Sequence, residues 1–229
     1  MDQIEALSLV RKILALALLT QSLEFLRCRR EIALFWPRKI LGDQHLSAET
    51  LTIVFFIRLV LSVSLFWNLF SPVVLILAAT QYLLYRHFKG PFNGGSDTMT
   101  SLLLLTLCVA SLLPKLAPVC LIYIAVQSAL SYFVAGVIKW RQPTWRSGKA
   151  LNQFLTLHNV PLDLGAGAAW ALILFECLMP LSLVTEVATL PLLSLALAFH
   201  FMNAFYLGLN RFVLAWLATY PAIIYCSGL

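Results

Sequence analysis

Residues 116–139 read LAPVCLIYIAVQSALSYFVAGVIK, an apolar run whose one charge, Lys139, stands at its very end. A bilayer's hydrocarbon core takes roughly 20 mainly apolar residues in helical form, so this stretch is long enough to cross one. Comparable runs flank it on both sides: about Ala6–Leu26, Leu51–Phe70, Pro72–Arg86, Met99–Lys115, Leu164–Thr185, Val187–Leu207 and Gly208–Tyr225. The chain as a whole shares the bias, with 61% of its 229 residues hydrophobic and 11% charged. A soluble domain carries about 25% charged residues, and with less than half of that this chain has too few to clothe a water-facing surface. A soluble enzyme, a nucleic-acid reader and a disordered regulator are excluded. The expected fold is all-α: a polytopic transmembrane helix bundle of seven or eight spans, one domain over residues 1–229, with the lipid bilayer as its partner.

The first run is the weakest, because Arg11, Lys12, Gln21 and Glu24 interrupt it. It either spans or lies in the interface as an amphipathic helix. It does not read as a signal peptide, since acidic residues precede it and no small-residue cleavage site follows.

The net charge of +6 does not point to nucleic acid, because the basic residues sit in breaks between apolar runs. Three breaks hold most of them, Arg27–Thr50, Arg86–Asp97 and Lys139–Asp163, while the turns at Ser71, Lys115 and Glu186 hold almost none. With the rich breaks in the cytoplasm, the later spans alternate without conflict and the C-terminus lies outside. Within the third break, Trp145, Leu151, Phe154, Leu155 and His158 recur at helical spacing among polar residues, so 145–158 is expected as an interfacial or re-entrant amphipathic helix. Five cysteines form no CxxC pair and read as small buried hydrophobes, with neither a disulfide framework nor a metal site implied.

A charge at the centre of a membrane helix costs roughly 2.5–3.5 kcal/mol, so each one is a functional candidate. Glu176 is mid-span with no cation near it in sequence. It is either protonated or paired with a residue of another helix. His200, Asn203, Leu207 and then Asn210 or Arg211 follow one another at steps of three or four, a polar stripe that should face the bundle interior. Interhelical hydrogen bonding would explain that stripe as well as a site would. Arg58 is another mid-span charge, for which a salt bridge to Glu176 or Glu24 competes with a substrate anion. Lys139 beside Trp140 has the look of an interfacial anchor. Its helix nevertheless brings Ser128, Tyr132 and Ala135 onto the same face, with Gly136 adjacent, so that a helix or a planar ligand could approach closely. In Gly94-Gly95-Ser96-Asp97 the turn leads into a helix that Ser96 or Asp97 can cap.

The segment Ser131-Tyr132-Phe133-Val134-Ala135-Gly136-Val137-Ile138-Lys139, followed by Trp145, Gly148 and Leu151, resembles the vitamin K-dependent γ-carboxylase-like (HTTM) membrane family. Asn93-Gly94-Gly95-Ser96-Asp97 is similar to that family's loop before a span. Phe199-His200 with Gly208 and Phe212 is similar to its late His-containing helix, and Glu176 with Pro180 fits the helix between. The resemblance covers roughly residues 92–221, and DoxX-like and MauE-like membrane proteins are its more distant relatives. It implies a quinone as cofactor or substrate and makes Lys139 the base that deprotonates a reduced quinone, with His200 as the second catalytic candidate. It adds Asn93 and Asp97 as groups that bind or orient a quinone or oxygen species, beside Tyr132, Trp145, Glu176, Asn203 and Arg58 as substrate-binding candidates. The large soluble region of the family's carboxylases has no counterpart in these residues, so quinone chemistry is expected without protein carboxylation.

Three functions follow as expectations. The first is a quinone-linked membrane oxidoreductase or modifying enzyme that uses Lys139 as base. The second is a non-catalytic membrane partner in the maturation of a secreted or redox protein, as the MauE-like likeness implies. The third is a proton-coupled small-solute transporter with Glu176, Arg58 and His200 as its relay. The expected setting is a bacterial inner (plasma) membrane.

Overall fold

The computed structural model of the chain describes residues 1–35, 39–41, 44–45, 47–67, 71–88, 90–92 and 94–228. Among these the regular structure is helical, apart from a small antiparallel ribbon of β1 (Lys39–Leu41) and β2 (Gln44–His45). The chain opens with α1 (Gln3–Arg27), capped by Asp2, whose Oδ1 accepts the backbone N–H of Glu5 at 2.8 Å. Next come α2 (Arg29–Phe35), α3 (Ala48–Trp67), α4 (Ser71–Phe88), α5 (Gly94–Leu112) and α6 (Ala117–Arg141). Two short helices follow, α7 (Pro143–Arg146) and α8 (Lys149–Leu157). Then α9 (Ala166–Leu178), prolonged by a 3-10 turn to Leu183, leads to α10 (Glu186–Leu207), α11 (Asn210–Leu217) and α12 (Tyr220–Ser227).

Six stretches are long and apolar enough to cross a membrane: Gln3–Arg27, Ala48–Trp67, Gly94–Leu112, Pro114–Arg141, Ala166–Leu183 and Glu186–Leu207. The chain is a helical membrane protein. The other two expected spans take different forms. Thr80, Gln81, Arg86 and His87 dilute the apolar character of α4, which is 18 residues long. The run from Gly208 to Tyr225 is divided into α11 and α12, because Pro221 has no N–H to offer the carbonyl of Leu217.

The weakest run in the sequence is a core helix. Helix α1 packs against α3, α5, α6, α11 and α12, and Val10, Leu14 and Leu18 on it are fully buried. Two of its polar side chains, Arg11 and Gln21, are buried as well. Arg11 Nη1 donates to the carbonyl of Leu65 at 2.5 Å, and Gln21 and Glu24 meet partners on other helices.

Contacts between neighbours fix how the helices run. Phe25 near the end of α1 meets Phe55 near the start of α3 and Phe88 at the end of α4. Ser71 at the start of α4 donates to the carbonyl of Ser111 near the end of α5 at 3.1 Å. Arg211 at the start of α11 reaches Glu24 on α1 and Asp97 on α5. One end of the bundle thus gathers the chain segments that carry Arg27, Arg29, Arg30 and Arg86, which is the clustering the loop charges suggested.

Candidate functional site

On α6, Tyr132, Ala135 and Lys139 recur at steps of three and four and so share one face. Gly136 stands beside them, and its missing side chain decides how near α9 comes. A Cβ at Gly136 would lie 2.9 Å from the backbone nitrogen of Cys177 and 2.9 Å from Glu176 Cβ, closer than packed atoms sit. The close approach foreseen at Gly136 is therefore that of a helix. It brings Glu176 onto Lys139, whose Nζ donates to both carboxylate oxygens at 2.6 Å. Glu176 is paired with another helix, as one of its two readings required. Lys139 is more than an interfacial anchor: its ammonium holds a buried carboxylate and lies 5.3 Å from the centre of the Trp145 ring.

These groups open onto a cavity of about 420 Å³ between α6, α8, α9, α10 and α11. A second polar pair lines it, with Tyr132 Oη 2.5 Å from His200 Nε2. The His200 ring stacks on Trp216, centroids 5.5 Å apart and planes 18° off parallel. His200 Nδ1 and Trp216 Nε1 are buried and meet no hydrogen-bonding partner among the described residues. Asn203, one turn after His200, also lines the cavity, as do Leu151, Phe154 and Leu155 of α8. Tyr132 and Lys139 are seven positions apart in the sequence. The two polar pairs therefore lie about 10 Å apart along α6, with apolar walls between them.

Six sequence candidates thus come together: Lys139, Glu176, Tyr132, His200, Trp145 and Asn203. Arg58 and Asp97 do not join them. Arg58 is fully buried in a separate network and pairs with neither Glu176 nor Glu24. It donates to Gln21 Oε1 at 2.6 Å, Gln81 Oε1 at 2.8 Å, Thr80 Oγ1 at 2.8 Å and the carbonyl of Leu77 at 3.3 Å. Asp97 is on the first turn of α5 rather than at its cap. Its Oδ1 accepts from Gln21 Nε2 at 2.9 Å and from Arg211 Nη1 at 3.2 Å. Asn93 lies outside the described residues.

The polar stripe from His200 also ends early. Gly208 terminates α10, so Asn210 and Arg211 belong to α11, and Arg211 turns to Glu24 and Asp97. Helical spacing carried past Gly208 therefore misplaces them. Three cavity residues escaped the sequence reading altogether, Leu172, Leu209 and Trp216. Trp216 follows Phe212 by four positions, a spacing that could have flagged it once α11 was known to begin afresh. Gln21 was read only as an interruption.

Among the described residues no three His, Cys, Asp or Glu side chains gather in a metal-binding group. Comparison with known proteins returns no matching family model, no similar curated protein and no similar solved structure.

Proposed function

We propose that the chain is an integral membrane enzyme acting on a quinone or quinol, a quinone-linked oxidoreductase or modifying enzyme of the HTTM-like kind. One observation carries this reading: two proton-exchanging pairs, Lys139–Glu176 and Tyr132–His200, open onto a single, mainly apolar cavity. Ligand sites of this sort are apolar clefts of about 300–1,000 Å³ with a few convergent polar groups. The fit to a flat ring with an oxygen at each end rests on orphaned atoms. His200 Nδ1 and Trp216 Nε1 are left to hydrogen-bond one oxygen, while the remaining ammonium proton of Lys139 serves the other.

A bound quinol supplies the electrons and the acidic hydroxyl. The residues hold it and move protons. Lys139, bonded to Glu176, is a donor as it stands. Transfer of one proton along the 2.6 Å contact makes Glu176 a neutral acid and Lys139 a neutral amine, which is the form able to accept a hydroxyl proton. At the other pole the Tyr132 hydroxyl and His200 Nε2 share a proton, so His200 Nδ1 presents either a donor or an acceptor according to tautomer. Trp145, Leu151 and Phe154 give the cavity an apolar wall beside the pair. The transporter's relay has no such support, because Arg58 is bonded away from Glu176 and His200.

Chain direction favours eight crossings. Helices α3 and α5 run the same way, so α4 must return between them. The α11–α12 segment leads from Arg211, beside Asp97, to Gly228, beside Glu186 at the start of α10. The basic end is assigned to the cytoplasm, in a bacterial inner membrane.

The test uses the two indoles that line the cavity. Menaquinone titrated into the purified protein in nanodiscs should quench Trp145 and Trp216, and native mass spectrometry should find quinone retained. His200→Ala should weaken quenching at least tenfold. Lys139→Arg should bind quinone but lose turnover, because Arg holds its proton. No saturable quenching in the wild-type protein, or an active Lys139→Arg variant, overturns the reading.

A further inference from the structure

We propose that the outer edge of α7–α8 is a docking surface for anionic phospholipid headgroups, and that this contact holds the cavity's lid in place. Between Asp97 and Asp163 the sequence contains no acidic residue. In that interval Arg141, Arg146 and Lys149 are exposed, and none of them enters an ion pair among the described residues. Glu176 is paired with Lys139, and the Asp163 carboxylate accepts from the neutral Asn152 amide and keeps its one negative charge beside this segment. Trp140 is exposed at the same level, and an indole next to basic side chains is what a membrane–water interface selects. Three exposed cations that form no ion pair among the described residues, and an interfacial indole, fit a phosphate-bearing lipid surface.

The opposite side of the same segment faces inward. Trp145, Leu151, Phe154 and Leu155 form one wall of the cavity, and Leu155 is buried. This wall is attached at two places. At Gly148 the backbone takes the left-handed conformation, with φ 79°. A Cβ there would lie 2.9 Å from the nitrogen of Ala166, so the α7–α8 junction sits tight on the start of α9. Within α8, the Asn152 side chain bonds Asp163 and accepts the backbone N–H of Leu164 at 2.9 Å. From Gln153 to Leu157 the outer face is exposed and has no such tie. Headgroups bound to Arg141, Arg146 and Lys149 hold the α7–α8 segment at the membrane surface over the cavity, and their loss leaves it held by the Gly148 and Asn152 contacts alone. The control of access rests on the cavity being the ligand site; the lipid contact itself does not.

Hydrogen exchange of residues 143–157 tests this in nanodiscs of phosphatidylcholine alone and of phosphatidylcholine mixed with phosphatidylglycerol. A cation at an anionic surface is worth about fivefold in equilibrium, so three should slow exchange in α8 by on the order of a hundredfold. The Arg141→Gln, Arg146→Gln, Lys149→Gln variant should exchange at the same rate in both discs, while its α6 and α9 amides stay as protected as in the wild type. Equal wild-type exchange in the two discs overturns the proposal, as does a variant that keeps the difference. If inorganic phosphate added to the zwitterionic discs reproduces the protection, the surface is a soluble-anion site and the lipid assignment fails. Quinone quenching is read separately, so either proposal can fail without the other.

Discussion

Replacing Gly136 by alanine reverses the usual effect of that substitution, and the structure says by how much. Alanine inside a helix is normally better than glycine by about 1 kcal/mol. At Gly136 the new methyl would meet Cys177 Sγ at 2.8 Å, and Glu176 Cβ and the Cys177 backbone nitrogen at 2.9 Å each. The thiol can swing aside, but the backbone nitrogen cannot, so α9 must move off α6. Overpacking of this kind costs about 1–3 kcal/mol. Set against the propensity gain, Gly136→Ala should be destabilised by about 1 kcal/mol, and a larger side chain by more. Gly167 on α9 is the control, since nothing lies within 4 Å of a Cβ built there; Gly167→Ala should not destabilise. Unfolding by SDS titration in mixed micelles measures both. The displacement should also stretch the Lys139–Glu176 contact, so Glu176→Gln should cost less in the Gly136→Ala background than in the wild type. A Gly136→Ala protein at least as stable as wild type would refute the claim that glycine sets the α6–α9 distance.

Two further substitutions separate the polar groups by role. Breaking the Lys139–Glu176 pair from one side should cost up to about 3–5 kcal/mol, less for Glu176→Gln because Lys139 keeps some contact with the cavity. The Lys139→Met, Glu176→Met double variant should recover most of that loss in the same SDS titration, and a double variant that loses the sum of the singles would show that the two do not act as a pair. Arg58→Lys should cost about 1–3 kcal/mol, since a single ammonium cannot serve Gln21, Gln81, Thr80 and Leu77 together. Quinone quenching in that variant should be unchanged; a loss would mean that Arg58 serves the cavity after all.

Helix existence was legible in the sequence because the bilayer imposes a length and a composition that each span must meet alone. Partnership was not, because it joins residues far apart in the chain. The same Arg11, Gln21 and Glu24 that made the first run look doubtful are what bind it to α3, α5 and α11. A hydropathy average counts each as a cost, since it cannot see that Gln21 lies between Arg58 and Asp97. Lys139, Tyr132 and Glu176 were legible for a different reason. The first two share a helical face by spacing alone, and a lone mid-span carboxylate must be either protonated or paired with another helix. Trp216 was hidden by the break at Gly208, which restarts the helical phase that a periodicity argument needs.

The two polar systems of the bundle differ in what they have left to give. In the network around Arg58, Gln21 bridges to Asp97, and Asp97 and Glu24 together hold Arg211. Apart from Arg58 Nε, which is buried without a hydrogen-bonding partner among the described residues, these groups are engaged with one another, and polar groups so engaged in an apolar interior specify how helices dock. Around the cavity, His200 Nδ1 and Trp216 Nε1 remain open beside two pairs that can pass a proton. Helix α11 belongs to both systems. Its first turn is locked through Arg211, which also lies over the rings of Phe25 and Phe92. One turn further on, Trp216 stacks on His200. The network that holds Arg211 therefore bears on the cavity through α11, because it anchors the helix whose Trp216 packs on the His200 ring.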